Sequence, residues 1–273
     1  MRVLPPPRLI ELAGPDAAAF AQAQFCNDVD ALGIGGTQLN AWLDPQGRIR
    51  AFFHLLRPTA DRFVLCLRGG DAAALVRPLR MFVLRLKTKV EALEGWRHVL
   101  AKPGEALPAA ALRLGPFEAL LPPDIGAEAE AADEETLTRL ARSDIEAGLP
   151  WFPPHALDAL LPSWLDFARL GAISQKKGCY PGQEIVARLH FRGGGDKRVP
   201  VVVRGETQVV QSATLLRDID GAEAGLVLQS AVDGSGHRIA LAVVRKERCA
   251  PGTLLAAVDG SIQVISSELN RPT

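Results

Sequence analysis

The last third of the chain constrains its fold most. From Lys197 onward six short apolar runs (KRVPVVVRGE, ATLLRDI, AGLVLQSAV, HRIALAVVRKE, GTLLAAV and SIQVISSEL) alternate with Gly, Asp and Pro turns. Runs of this length, rich in Val, Ile and Leu and broken this often, pair as antiparallel strands of a small barrel or sandwich. Gly193-Gly194-Gly195 stands just before them and marks a boundary. The reading is therefore two regions, 1–195 and a C-terminal β domain at 196–273.

Upstream the texture is mixed, so the class is α+β, with two sub-domains expected within 1–195. RLIELAG reads as a strand, and GPDAAAFAQAQF as a helix with Pro15 in its first turn and Phe20 and Phe25 as anchors. TQLNAWL and IRAFFHLLR are strand-like runs flanking the turn DPQGR, and FVLCLRG continues the sheet. DAAALVRPLRMF reads as a short helix with Asp71 as N-cap. WRHVLAK and FEALLP return to strand, and ADEETLTRLARSDIEAGLP is a helix stopped at Gly148-Leu149-Pro150. Residues 150–175 show no strong period and read as an irregular connection.

Composition then removes whole classes. Of 273 residues 48% are apolar, which is ample for a core, and 31 basic residues balance 31 acidic ones. A neutral chain gives no global case for a nucleic-acid or membrane-surface binder, although a local basic patch stays open. No apolar run reaches the roughly 18–20 residues of a spanning helix. MRVLPPPRLIEL lacks the apolar stretch and small-residue cleavage site of a secretory leader, so a cytoplasmic protein is expected.

The four cysteines, Cys26, Cys66, Cys179 and Cys249, form no C-x-x-C pair, which argues against a zinc site, a dithiol motif or a self-held iron–sulfur cluster; no metal ligands are expected. Three of them sit in contexts that suit small buried side chains. Cys179 differs. It lies in KKGCYPGQEIVARLHF, behind Lys176 and Lys177, whose charges would favour a thiolate. Gly178 and Gly182 would let the backbone bend and approach a ligand, and QEIVARLHF would aim N–H groups at the loop if it is a helix; its pattern also suits a strand. A reactive thiol and a glycine-rich turn with a merely packed cysteine are both open. None of the five histidines has the context of a papain-like base, and G-x-S-x-G, P-loop and G-x-G-x-x-G patterns are lacking.

The run Lys177-Gly178-Cys179-Tyr180-Pro181-Gly182-Gln183-Glu184, continuing to Arg188, resembles the K-G-C-Y-x-G-Q-E motif of the YgfZ family, folate-binding proteins related in fold to the glycine cleavage T protein. GPDAAAFAQAQFCNDV, DPQGRI and IEAGLP resemble further segments of that family, in the right order, over residues 9 to 198. The resemblance implies a T-protein-like (GcvT-like) fold in a ring-like arrangement around a cavity for tetrahydrofolate, with a C-terminal antiparallel barrel. It implies work on iron–sulfur clusters of client enzymes, including radical-SAM enzymes that modify tRNA, with Cys179 as the essential thiol.

Carried over residue by residue, Glu146 is expected to hold the pterin, whose 2-amino-4-oxo edge suits one carboxylate accepting two hydrogen bonds. Asn27 and Asp28 would line the cavity or cap a turn. Arg188 is a candidate for the folate tail, and Lys177, Gly178, Tyr180, Gly182, Gln183 and Glu184 complete the expected site. The partners expected are folate and iron–sulfur clients, with no membrane, no strong direct nucleic-acid binding and a monomeric state. The alternative is a folate-dependent aminomethyltransferase. Gly47-Arg48-Ile49-Arg50-Ala51-Phe52 speaks against it, because the T protein carries carboxylates in that segment and this chain has none.

Overall fold

A computed structural model describes residues 1–125, 129–192, 197–205, 211–233, 235, 237–257, 260–267 and 269. The chain begins with β1 (Arg2–Val3), β2 (Leu9–Ala13), α1 (Ala17–Gln24), β3 (Thr37–Leu43), β4 (Ile49–Thr59), β5 (Arg62–Leu67) and α2 (Ala72–Arg80). Next come β6 (Lys89–Leu93), β7 (Arg97–Leu100), β8 (Leu112–Arg113), β9 (Glu118–Leu121), β10 (Glu130–Ala131) and α3 (Glu134–Ala147). Two 3-10 turns, Pro154–Ala156 and Pro162–Leu165, lead to α4 (Gln183–Arg192). The remainder is strand, β11 (Arg198–Gly205), β12 (Leu215–Arg217), β13 (Glu223–Val232), β14 (Arg238–Arg245), β15 (Leu254–Ala257) and β16 (Gly260–Ser266), with a 3-10 turn, Lys246–Arg248, between β14 and β15.

Contacts divide the chain into two compact units. The first holds Met1–Leu43, Ala51–Asp133 and Gly171–Pro181; the second holds Asp44–Arg50, Glu134–Leu170 and Gly182–Thr273. The expected 195/196 boundary lies outside the described residues.

In the first unit the sheet β3-β4-β5-β2-β6 is apolar on both faces. Phe53, Phe63 and Leu65 pack with Phe20 of α1, with Phe25 and with Leu79 of α2. The alternate residues, Leu56, Val64 and Cys66, meet Leu114 and Leu120 beside the small sheet β10-β1-β7-β9-β8. This double burial explains why FVLCL reads as a continuous apolar run rather than an alternating one. Asp71 caps α2 as expected, its carboxylate accepting from the Ala73 N–H at 3.0 Å.

In the second unit β11-β14-β13-β12-β15-β16 close into a six-stranded antiparallel barrel, the β11–β16 pairing completing the ring. Val201, Val203, Ala240, Ala242 and Val244 fill its interior. The outward-facing Val202, Ile239 and Leu241 are buried in turn under Ile145 and Ala141 of α3. QEIVARLHF, whose pattern suited both states, is a helix. No helix among the described residues is long and apolar enough to cross a membrane.

Candidate functional site

The first half of the cysteine loop is fixed by one buried ammonium. Where α1 ends, its last carbonyls lack intrahelical partners. Lys177 Nζ reaches back across the sequence to donate to Gln22 O (2.6 Å), Phe25 O and Asn27 O (3.1 Å). Three N–H donors thus meet three acceptors, and a cation sits at a helix C-terminus, where the dipole favours it. Burial pushes the Lys177 ammonium down to about 8, against the upward pull of Cys26, Asp28 and Asp30. The Tyr180 ring packs 5.3 Å from the same nitrogen, and burial raises its phenol above the usual range.

Asn27 extends this anchor. Its Nδ2 donates to Leu39 O (2.9 Å) and Gly171 O (2.8 Å), tying the turn after α1 both to β3 and to the start of the 171–181 segment. Ser174 N adds a bond to Cys26 O at 3.0 Å. Asp28 accepts from Gln22 Nε2 at 3.0 Å and so closes the turn.

The second half is fixed by shape. Gly182 has φ +79°, and a Cβ there would stand 2.5 Å from Asp44 O and 2.7 Å from Gly47 Cα. Gly47, at φ +77°, lies in turn against Ile185 of α4, whose Cβ a side chain would meet at 3.2 Å. The two glycines let the DPQGR turn and the start of α4 touch backbone to backbone. Asp44 holds its own turn by accepting from Arg48 N at 2.8 Å. Arg48 donates to Asp158 O at 3.2 Å, and Arg50 pairs with the Asp158 carboxylate at 3.4 Å.

Between these anchors Cys179 is exposed, as is Gly178, whereas Lys177 and Tyr180 are buried. Of the other cysteines, Cys26 and Cys66 are buried and Cys249 is half-buried. Burial pushes the Cys26 and Cys66 thiols up to about 12. Cys26 Sγ donates to Ala172 O at 3.4 Å, so it packs under the loop that carries Cys179.

In the second unit Gln183 and Glu184 open α4, with Glu184 in its first turn and Arg188 exposed one turn on. Glu146 occupies the last turn of α3, exposed, with an ion pair to Arg142 at 3.7 Å. Among the described residues no three His, Cys, Asp or Glu side chains are grouped to hold a metal.

Asn40 is the residue that sequence reasoning passed over. It is fully buried in β3, and its Oδ1 accepts from Asn27 N (2.8 Å) and Ala41 N (2.9 Å). Its Nδ2 has no partner among the described residues, and a buried amide donor left unpaired is costly. The available signal was an Asn in TQLNAWL two positions before Trp42, on the face that Trp42 sends into the core.

No family model matches the chain. It is 31% identical over 238 residues to the tRNA-modifying protein YgfZ of Edwardsiella ictaluri, covering 75% of this chain and 71% of that one. The chain belongs to the YgfZ family. An uncharacterized protein of Haemophilus influenzae is 30% identical over 205 residues, covering 74% of this YgfZ-family chain and 72% of its own. A mitochondrial homolog of the iron–sulfur cluster assembly factor IBA57 from Mycosarcoma maydis is 28% identical over 222 residues, covering 70% of this chain and 54% of that one. The glycine cleavage system aminomethyltransferase T of Bartonella henselae superposes with a TM-score of 0.64 at 18% identity, covering 97% of this chain and 86% of the other. That likeness establishes the T-protein-like fold for this YgfZ-family member.

Proposed function

We propose that the protein binds tetrahydrofolate and supports assembly or repair of iron–sulfur clusters in client enzymes, among them radical-SAM enzymes that modify tRNA, with Cys179 as the working thiol. The observation that carries the reading is the contrast within Lys177–Tyr180. The lysine and tyrosine are spent on holding the loop, and the cysteine between them is left facing solvent. Relatives named for tRNA modification and for iron–sulfur cluster assembly support the client class. One thiolate cannot hold a cluster alone, so the remaining ligands come from the client, and the cluster is cargo.

For folate, the Glu146 carboxylate suits the group: it has one long ion pair, which leaves lone pairs for the two-donor pterin edge. When bound, tetrahydrofolate supplies a pterin that carries one-carbon units. The chain's own part is to accept the pterin N–H groups at Glu146 and to present the Cys179 sulfur on a fixed loop.

Two measurements test this reading. Calorimetry should show tetrahydrofolate binding to the wild type, weakened about tenfold or more in Glu146→Ala, the loss of a charge-assisted pair of hydrogen bonds. Wild-type protein showing no binding would remove the folate half. In cells lacking the protein, Cys179→Ala should fail to restore iron–sulfur enzyme activity; full rescue would end the thiol's role. The T-protein likeness of the fold favours a second reading, aminomethyl transfer. Against it, the segment after Gly47 offers Arg48 and Arg50 rather than an acid, and both are engaged with Asp158. Methylene-tetrahydrofolate formed with turnover would favour the transferase.

A further inference from the structure

A second site of a different kind lies at one end of the barrel. In the β11–β14 ladder Arg198 stands directly opposite Arg245. Like charges opposed in a ladder destabilise it. Lys197 and Lys246 continue the pattern one residue beyond, joined by the backbone bond from Lys246 N to Lys197 O at 3.0 Å. The four cations, with Trp164 and Glu247, line a groove of about 880 Å³.

Two acids temper the groove. Glu223 takes Arg198 at 2.6 Å, and Glu247 lies in the wall, which leaves an excess of positive charge. Arg245, Lys197 and Lys246 have no acidic partner among the described residues. Further along the same strands the outer face is apolar and covered by α3. The basic end is therefore a distinct surface, not the continuation of a solvated stripe.

Arg198 is also held in place. Its guanidinium carbon lies 5.4 Å from the centroid of the Trp164 ring, on the second 3-10 turn. A guanidinium fixed against an aromatic face keeps its fork oriented, and flexible lysines beside it act as movable point charges. Forks and point charges together suit phosphate oxygens. The groove has room for more than one phosphate.

We propose that the groove at the Arg198–Arg245 end of the barrel binds a phosphate-bearing ligand. The neutral net charge of the chain does not oppose this, because the field that matters is local.

The test is calorimetric titration at low salt with three probes: pyrophosphate, a short single-stranded RNA and tri-γ-glutamate. Arg245→Gln, Lys246→Gln and their double variant accompany the wild type, with thermal melts to show that the barrel still folds. Arg245 ends β14 and Lys246 opens the 3-10 turn after it, and neither belongs to the barrel interior. Pyrophosphate binding identifies a small phosphate compound, and RNA binding without pyrophosphate binding identifies a phosphodiester chain. Either supports the proposal if the single variants weaken it by about tenfold, the loss expected for one charge-assisted contact. For RNA, the double variant should also reduce the slope of log affinity against log salt by about 1.4. The proposal is overturned if neither phosphate probe binds, if binding is equal in wild type and folded variants, or if tri-γ-glutamate competes as well as the phosphates do.

Discussion

The two halves of the cysteine loop are held by opposite means. Up to Pro181 the segment belongs to the first unit and is anchored by hydrogen bonds that converge on a single buried ammonium. From Gly182 it belongs to the second unit and is anchored by the closeness of two backbones, with no side chain between them. A polar clamp tolerates small shifts but fails when its donor is removed. A glycine contact needs no donor, yet it cannot admit one carbon atom. Cys179, three residues before Gly182, belongs to neither device.

The largest stability effect should come from Gly182→Ala. The left-handed φ costs a non-glycine residue about 1–2 kcal/mol. Forcing a Cβ to 2.5 Å from Asp44 O adds an overpacking cost of about 1–3 kcal/mol. Urea unfolding should show a loss of about 2–5 kcal/mol on these two grounds. A loss below about 1 kcal/mol would mean that the DPQGR turn yields easily, and the contrast with the first half would collapse.

Lys177→Met comes next. It leaves the Gln22, Phe25 and Asn27 carbonyls without their donor and should cost about 2–3 kcal/mol, the range for breaking a charged buried hydrogen-bond set. Lys177→Arg should recover only part, because a planar fork does not direct its donors at three convergent carbonyls. The pH dependence sharpens the point. Lys177 titrates at about 8 when folded and at 10.5 when free, so between those values the unfolded chain binds more protons. Its contribution to stability therefore rises with pH from about 8 to 10.5 and is lost as pH falls through that window. The wild type should gain on Lys177→Met across it, and parallel stability curves would contradict the buried position of the ammonium.

Much of this architecture was legible before any coordinates, and what was missed has a physical pattern. The barrel strands, the Asp71 cap and the buried state of Cys66 follow from local periodicity and turn residues, which report the face a residue presents. Periodicity does not report which segment packs on that face. Lys177 looked like a source of positive charge for the thiol, and its partners lie some 150 positions away. Gly182 looked like a hinge for a ligand, and it meets a turn at Asp44–Gly47 that is likewise far away in sequence. Asn40 was a polar residue in a strand until its unmet donor came into view.

Thiol reactivity should divide the cysteines along the same line, with little change in stability. Brief alkylation of the native protein followed by mass spectrometry should label Cys179 first. Cys26 and Cys66, buried and pushed up to about 12, should react only on unfolding. Labelling of Cys26 at the rate of Cys179 would mean that the loop opens readily and that the Lys177 clamp is weak.

The smallest stability effect should belong to Gly178→Ala, and it is the most discriminating of the set. Gly178 does not have the left-handed φ of Gly182, and a Cβ added to it would meet nothing within 4 Å. The substitution should therefore change stability by no more than about 0.5 kcal/mol, the usual range for an exposed position. If Gly178 is glycine because something outside the chain must come close to the backbone beside Cys179, Gly178→Ala should fail to restore client activity while melting like the wild type. The failure should worsen with side-chain size, from Ala to Val, with folding unchanged. Full rescue by Gly178→Val would show that no client or ligand approaches the loop there, and would confine contact to the sulfur of Cys179.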